Sequence, residues 1–467
     1  MTAQILCFWR DLRLDDNPAL VAAAAQGPVL PVFIIDQLQD LGSAQYWWLA
    51  HSLSALRQDL RLLGSELLLL SWAELQALLA QGLPLHLNSP LDRVGQGLVT
   101  ELQTQFGEQC LQLYAGNTLL AQPLFNQQGK AYQVFTPFWK RCLQVLQPEA
   151  PLDMPSQLPM AQSLASQFNK RDFEAHIQAL LPKIPWHQEF SHYFNPGERG
   201  AQQQLSQFLE QGVERYPDSR NLPAQIGTAR ISPHLRFGEL SIRRIVQHLL
   251  ALGYGWDFEL VWLRELGWRE FAYHCYRLFP EVSEQPLQSK FAHFPWQQQP
   301  DWLKAWQQGQ TGVPIVDAGM RELWRFGWMH NRVRMVVGSY LVKNLRLPWQ
   351  QGRAWFDDCL LDADPAVNAL SWQWVAGCGA DAAPYFRIFN PVSQAEKFDP
   401  DGQYIGQMVP ELHGLPSKWQ RQPWLLPSLS AQQLNFRLGK QYPMPLVDLK
   451  ESREQALAAF KTLTGQG

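Results

Sequence analysis

Glu265 and Trp268 stand three residues apart in a stretch, 258–279, whose apolar spacing is helical, so a carboxylate and an indole share one face. Such a pair could hydrogen-bond and stack on a planar polar ligand. Taken singly, a surface carboxylate and a core tryptophan are the ordinary readings. Trp372-Gln373-Trp374 brings two more indoles within one turn. Asp362-Ala363-Asp364 sets two carboxylates side by side, a pattern of metal sites and solvated turns; no third hard ligand follows at useful spacing, so no metal is expected. Gly227-Thr228-Ala229-Arg230-Ile231-Ser232 precedes an amphipathic stretch. A loop that enters a helix can hold a pyrophosphate through its amides and the helix dipole. The alternative is a plain cap, Ser232 before Pro233.

Tryptophan is unusually frequent, with 20 residues in 467. Indole can serve as bulk, as a stacking platform or as an electron relay, and bulk is the default. The six cysteines (Cys7, Cys110, Cys142, Cys275, Cys359 and Cys378) are scattered, with no CxxC pair and no metal-like spacing to histidine. Reduced thiols in a cytoplasmic protein are expected.

The elements that must position these residues divide the chain. Apolar runs at 5–9, 29–35, 66–70 and 83–87 read as buried strands, and 45–63 and 72–80 carry helical spacing between them. Strand–helix alternation predicts a parallel sheet covered by helices, a Rossmann-like α/β domain over residues 1–130. No GxGxxG follows the first strand, so a dinucleotide fingerprint is not supported there. Residues 131–200 include a stretch rich in Pro, Gln and Ser, read as a linker wrapped on the surface. Residues 201–467 show helical periods at 201–212, 240–252, 258–279, 320–324, 329–343 and 452–463, which predict a mostly α-helical second domain.

With 46% hydrophobic and 17% charged residues the chain is globular rather than disordered. Net charge is −3; residues 1–150 hold 8 Lys/Arg against 12 Asp/Glu, and residues 201–467 hold 27 against 25. Any surface for nucleic acid must therefore be a local basic patch in the second domain. The apolar run 5–9 leads at once into Arg10-Asp11-Leu12-Arg13, a strand and charged turn rather than a signal peptide, and no stretch is apolar enough to span a membrane.

Five separated segments carry a family resemblance: WRDLRLDDNPAL at 9–20, GTARISPHLRFGELS at 227–241, WLRELGWREF at 262–271, TGVPIVDAGMRELWRFGWMHNRVRMVVGSYLVKNL at 311–345, and LLDADPAVNALSWQWVAGCGADAAPYFRIFNPVSQAEKFDPDGQYI at 360–405. In this order they resemble the photolyase/cryptochrome flavoproteins, most of all the bacterial cyclobutane pyrimidine dimer photolyases. The resemblance implies an α/β domain, a long linker and a helical domain that holds FAD in a U shape. It implies an enzyme that splits cyclobutane dimers in UV-damaged DNA. Bound reduced FAD, excited by blue light, would lend the dimer an electron and recover it.

The resemblance also implies roles. Tyr216, Thr228, Ala229, Arg230, Ile231 and Ser232 match flavin- and phosphate-contacting positions, with Ala229 where a serine is common. Asp362, Ala363 and Asp364 match positions at the flavin ring and ribose, and Arg334 matches the partner of Asp362, which a buried charge requires. Asn368 matches the residue at the N5 edge, where an amide can serve the nitrogen with or without its proton; an Asp there would indicate the plant photoreceptor type. Ala369, Leu370 and Ser371 depart from the Asn-Gly-Gly of many bacterial members. Trp268 and Trp374 match the walls of a pocket for a flipped-out dimer, which needs apolar stacking surfaces. Glu265 matches the group that hydrogen-bonds the pyrimidine carbonyls, and Asn331 and Met335 complete the pocket. Arg220, Arg269, Arg332, Arg387 and Gln394, with the pocket residues Glu265, Trp268 and Asn331, match DNA-contacting positions. Trp372, Trp349 and Trp296 match a relay that reduces the flavin from the surface.

Three rivals stay in play. A (6-4) photolyase carries a histidine where this chain has Met335, and His330 is not at that place. A cryptochrome shares the fold and the relay, but often adds a C-terminal tail, whereas this sequence stops at Gly467 soon after the matched region. A single-strand-specific member has no distinguishing mark. Residues 85–97 are shorter and less aromatic than the family's antenna pocket, so a second chromophore such as folate stays open. A cytoplasmic monomer is expected.

Overall fold

The computed structural model describes residues 2–147, 149–168, 171–257, 260–382 and 386–465. Five strands, β1 (Gln4–Phe8), β2 (Val29–Ile34), β3 (Leu68–Leu70), β4 (Leu85–Asn88) and β5 (Leu111–Tyr114), form one parallel sheet in the order β3-β2-β1-β4-β5. The first four are buried at every residue, as strands covered on both faces must be. β5 is the edge strand and buries only Leu111 fully, so it carries no apolar run and the sequence did not betray it.

Helices α1 (Pro18–Gln26), α2 (Ser43–Leu62), α3 (Trp72–Leu79) and α4 (Arg93–Phe106) connect the strands. Their starts are written locally. Asn17 caps α1, with Pro18 at its first position, and Ser71 and Glu74 form a capping box on α3.

The segment expected as a surface linker is anchored instead. Leu158, Phe173, Phe190 and Phe194 are buried in the core of the α/β domain. Helix α5 (Phe135–Val145) turns the other way and buries Phe135, Phe138 and Trp139 in the core of the helical domain. A Pro- and Gln-rich composition conceals these anchors because they are spaced too widely to form a period.

The helices that matter for the site are α6 (Val261–Leu278), α7 (Pro314–Phe326), α8 (Asn331–Ser339), α9 (Trp349–Cys359) and α10 (Pro365–Ala376). α7 starts at Pro314, well before the expected 320, because its first turn is N-terminal to the clearest apolar period. The stretch expected as one helix over 329–343 is α8 followed by a π-helical turn, Tyr340–Asn344. Gly267 explains how α5 lies on α6. A Cβ there would come within 2.7–2.9 Å of the Trp139 ring, so glycine lets the indole seat directly on the helix. Mid-helix glycine costs about 1 kcal/mol against alanine, which burial of a whole tryptophan offsets. Among the described residues no helix is long and apolar enough to cross a membrane.

Candidate active site

Trp268 and Glu265 stand one turn apart on α6, both half-buried. The Trp268 ring stacks on Phe135 at 3.9 Å between centroids and 9° between planes, which fixes its orientation while leaving it half-buried. Glu265 pairs with Arg220 at 2.7 Å, the two side chains keeping 30% and 22% of their surface. The next residue, Asn221, accepts from Arg332 Nε and Nη2 at 3.1 and 2.7 Å. Two consecutive residues thus tie α6 to α8. Asn331 is exposed at the start of α8, and Met335 is half-buried one turn on. Trp374, half-buried on α10, faces Phe389 at 6.4 Å.

Four arginines act on His330, at the start of α8. His330 accepts from the Arg332 amide at 3.2 Å through Nδ1, which leaves the proton of the neutral ring on Nε2. Burial, then the charges of Arg230, Arg334, Arg332 and Arg220, push its pKa down to about 3. Glu322 accepts from the His330 amide at 3.1 Å and from the Tyr404 hydroxyl at 2.7 Å, and burial raises it to about 7. Arg334 bonds Asp362 at 2.9 Å, the pairing expected from the sequence. The other oxygen of Asp362, Oδ1, is buried without a partner among the described residues.

Asp364 does two things at once. Its Oδ1 caps α10 through the amides of Ala366 and Val367, both at 3.0 Å, and its Oδ2 accepts from the Tyr273 hydroxyl. Burial and the facing carboxylate raise Tyr273 well above the usual phenol range, so it stays a donor. Ala363 offers its carbonyl to Gln45 at 2.7 Å and Arg236 at 2.9 Å. Tyr216 is buried beneath Arg220, whose guanidinium carbon stands 5.1 Å from its ring. In the loop leading to residue 232, Thr228 is half-buried and the Ala229 carbonyl accepts from Gln204 at 3.0 Å. Arg230 sits at φ 50°, in left-handed backbone, with its guanidinium 5.1 Å from the Trp328 ring. Ile231, not Ser232, is the cap residue of the short helix Ser232–Arg236, and no side chain bonds that cap, so the plain-cap alternative is not what the serine does.

Some expected residues lie elsewhere. Arg269 donates to the Asn117 carbonyl at 2.9 Å and lines a cleft between the domains with Trp9, Asn88, Arg236 and Tyr273. Its side chain is 12% exposed. Arg387 is exposed, and Gln394 has a buried Oε1 with no partner among the described residues. Trp372, Trp349 and Trp296 all belong to or pack against one core cluster, yet among the described residues none makes a ring contact with another. Trp372 meets Phe356 at 5.0 Å and Trp306 at 6.2 Å, and Trp296 meets Phe294 at 4.4 Å. Sequence reasoning missed Phe135, Tyr273, Asn221 and Asp357, each of which holds a candidate residue in place. Phe135, Tyr273 and Asn221 carry no local signal because their partners are about a hundred residues away, and Asp357, 11 residues before Asn368, sits on the preceding helix, beyond the reach of any helical spacing.

Two family models match, "DNA photolyase" over residues 5–156 and "FAD binding domain of DNA photolyase" over residues 262–462. The chain is 41% identical to the deoxyribodipyrimidine photo-lyase of Agrobacterium fabrum, covering 98% of this chain and 97% of that one. It is 36% identical to cryptochrome-2 of Arabidopsis thaliana, over 96% of this chain and 77% of that one. The crystal structure of a bacterial class III photolyase from Agrobacterium tumefaciens superposes with a TM-score of 0.91 at 40% identity, covering 100% of this chain and 98% of that one.

Proposed function

Because the chain belongs to the DNA photolyase and cryptochrome family, we propose that it is a deoxyribodipyrimidine photo-lyase that repairs cyclobutane pyrimidine dimers in UV-damaged DNA. The observation that carries this reading is the side-chain cluster on α6 and α8. A stacked indole, a carboxylate and an amide project from two helices that Arg220 and Asn221 hold together. Trp268 and Trp374 would offer apolar faces to an extrahelical dimer, Glu265 and Asn331 polar contacts to its carbonyls, and Met335 would complete the pocket. Photolyases are among the enzymes that take their target out of the base stack, and such faces offset the stacking lost. Arg220 and Arg332, with Arg387 and Gln394, would hold the phosphates on either side.

The residues below fit FAD. Asp362 Oδ1 is buried and lacks a partner, which a hydrogen-bonding ligand would supply. Arg230, Arg332, Arg334 and Arg220 converge on one neutral histidine, an environment for a diphosphate. Tyr216 and residues 228–232 would hold the phosphates, with Asp362, Ala363, Asp364 and Asn368 around the ring and ribose. When bound and reduced, FAD supplies the electron under blue light. Trp372, Trp349 and Trp296 would serve its reduction.

His330 bears on the rival chemistry. A (6-4) repair needs a proton donor in the pocket, and His330 is buried, tied through Nδ1 and held neutral down to about pH 3. We read the protein as a cytoplasmic monomer.

The test is a repair assay with photoreduced protein and a duplex carrying one thymine cyclobutane dimer, in blue light and in darkness. Light-dependent loss of the dimer is expected. No loss with flavin bound and reduced would overturn duplex repair and leave a photoreceptor, a (6-4) enzyme or a single-strand-specific repairer.

A further inference from the structure

An asparagine amide can present either end to a ring nitrogen, since its NH2 donates and its oxygen accepts. In Asn368 one end is already taken. Nδ2 lies 2.6 Å from Asp357 Oδ1 and 3.4 Å from the Arg353 carbonyl. A carboxylate and a carbonyl only accept, so the nitrogen must be the end that faces them. Burial raises the Asp357 pKa above the ordinary carboxylate value, and the Asn368 amide with the charge of Arg353, whose Nε stands 3.2 Å from the other carboxyl oxygen, acts against that rise. The Asn368 backbone is held as well, its N–H bonded to the Asp364 carbonyl at 2.8 Å. Neither the backbone nor the amide is free to turn. Among the described residues no donor reaches Asn368 Oδ1, although the residue is only 8% exposed.

We propose that Asp357 is a positioning residue that locks the Asn368 amide with its oxygen toward the flavin ring, so that the site favours flavin protonated at the facing ring nitrogen. This rests on the reading that the chain holds FAD with its ring at α10. An acceptor there stabilises an N–H and opposes a bare nitrogen lone pair. The site is thereby biased toward the reduced cofactor that repair requires.

Asp357→Asn tests it. The replacement keeps the shape, but its own amide can donate or accept, so it no longer dictates which end of Asn368 faces outward. The measurements are FAD content, the absorption spectrum and the midpoint potential under anaerobic titration. Asp357→Asn should keep one FAD per chain and shift the two-electron potential negative, by about 30 mV for each tenfold loss of preference for the reduced form. Asp357→Glu should recover part of the shift. In an Asn368→Ala background, Asp357→Asn should add nothing. An unchanged potential and spectrum would overturn the proposal. So would an equal shift in the Asn368→Ala background, which would mean that the charge of Asp357 acts directly, or a folded Asp357→Asn protein that no longer holds FAD. Failure of the parent protein to bind FAD at all would sink the functional reading instead, and is separately visible.

Discussion

Helix α6 has two sides that use the same residue types for different ends. On one side, Glu265 and Arg220 form a pair with 30% and 22% of their side-chain surfaces open, beside the half-buried Trp268. Toward the α/β domain, Glu270 is 1% exposed and receives the amides of Leu119 and Leu120 at 3.1 and 3.2 Å. Arg269 and Arg277 there bond main-chain carbonyls of residues 117, 120 and 121. A half-open ion pair is worth about 0–1 kcal/mol, so Glu265 and Arg220 can exchange each other for a ligand at little cost. A buried carboxylate with two amides cannot, because opening it strands polar groups away from water. One helix thus presents exchangeable contacts on its half-open side and permanent ones to the N-terminal domain.

The sharpest way to break this comparison is at Glu270. Glu270→Ala should cost about 3 kcal/mol of stability in chemical denaturation. A loss below about 1 kcal/mol would put the two sides on the same footing. On the half-open side, Trp268→Ala should weaken dark binding of dimer-containing duplex about 30-fold, near 2 kcal/mol for a lost stacking face, with the fold retained by circular dichroism. Glu265→Ala should lower the repair rate roughly tenfold, the value of one lost charged hydrogen bond, and leave the melting temperature near that of the parent. Repair at the parent level would remove Glu265 from the reaction.

A last effect, set by pH, comes from Glu322 under the arginines. Its folded pKa, about 7, lies above the ordinary 4.5. The native state therefore binds the extra proton, and this contribution is full below 4.5 and lost as pH rises toward 7. The stability of the parent relative to Glu322→Gln should fall across that window by about 1 kcal/mol per pH unit at most. Denaturation of both proteins at pH 5, 6 and 7 checks the sign; a rising difference would mean that the arginines dominate over burial.

Legibility followed locality. Four of the five strands were readable because each is a continuous apolar run, while β5 at the edge was not. The Arg334–Asp362 pair was expected from matched positions and is present at 2.9 Å. Arg269 was expected at DNA from its matched position, and the structure adds that its guanidinium bonds the Asn117 carbonyl at 2.9 Å, a partner that no local pattern reports. The stack on Trp268 comes from Phe135, in a segment whose composition reads as a linker. Asn368 was recognised as an amide that could serve in two ways, and the structure adds Asp357 at 2.6 Å from its nitrogen.

By itself, the sequence determined the strand–helix alternation, the switch to helical periods near residue 201, the family and the residue types of the site, because propensity, periodicity and motif spacing are written in neighbours along the chain. Tertiary structure decided which contacts of α6 stay half-open and which are buried, where the arginines gather and which partners the Asn368 amide meets. Those depend on residues of other elements, brought within hydrogen-bonding reach only by packing, and on burial, which no local pattern of residues reports.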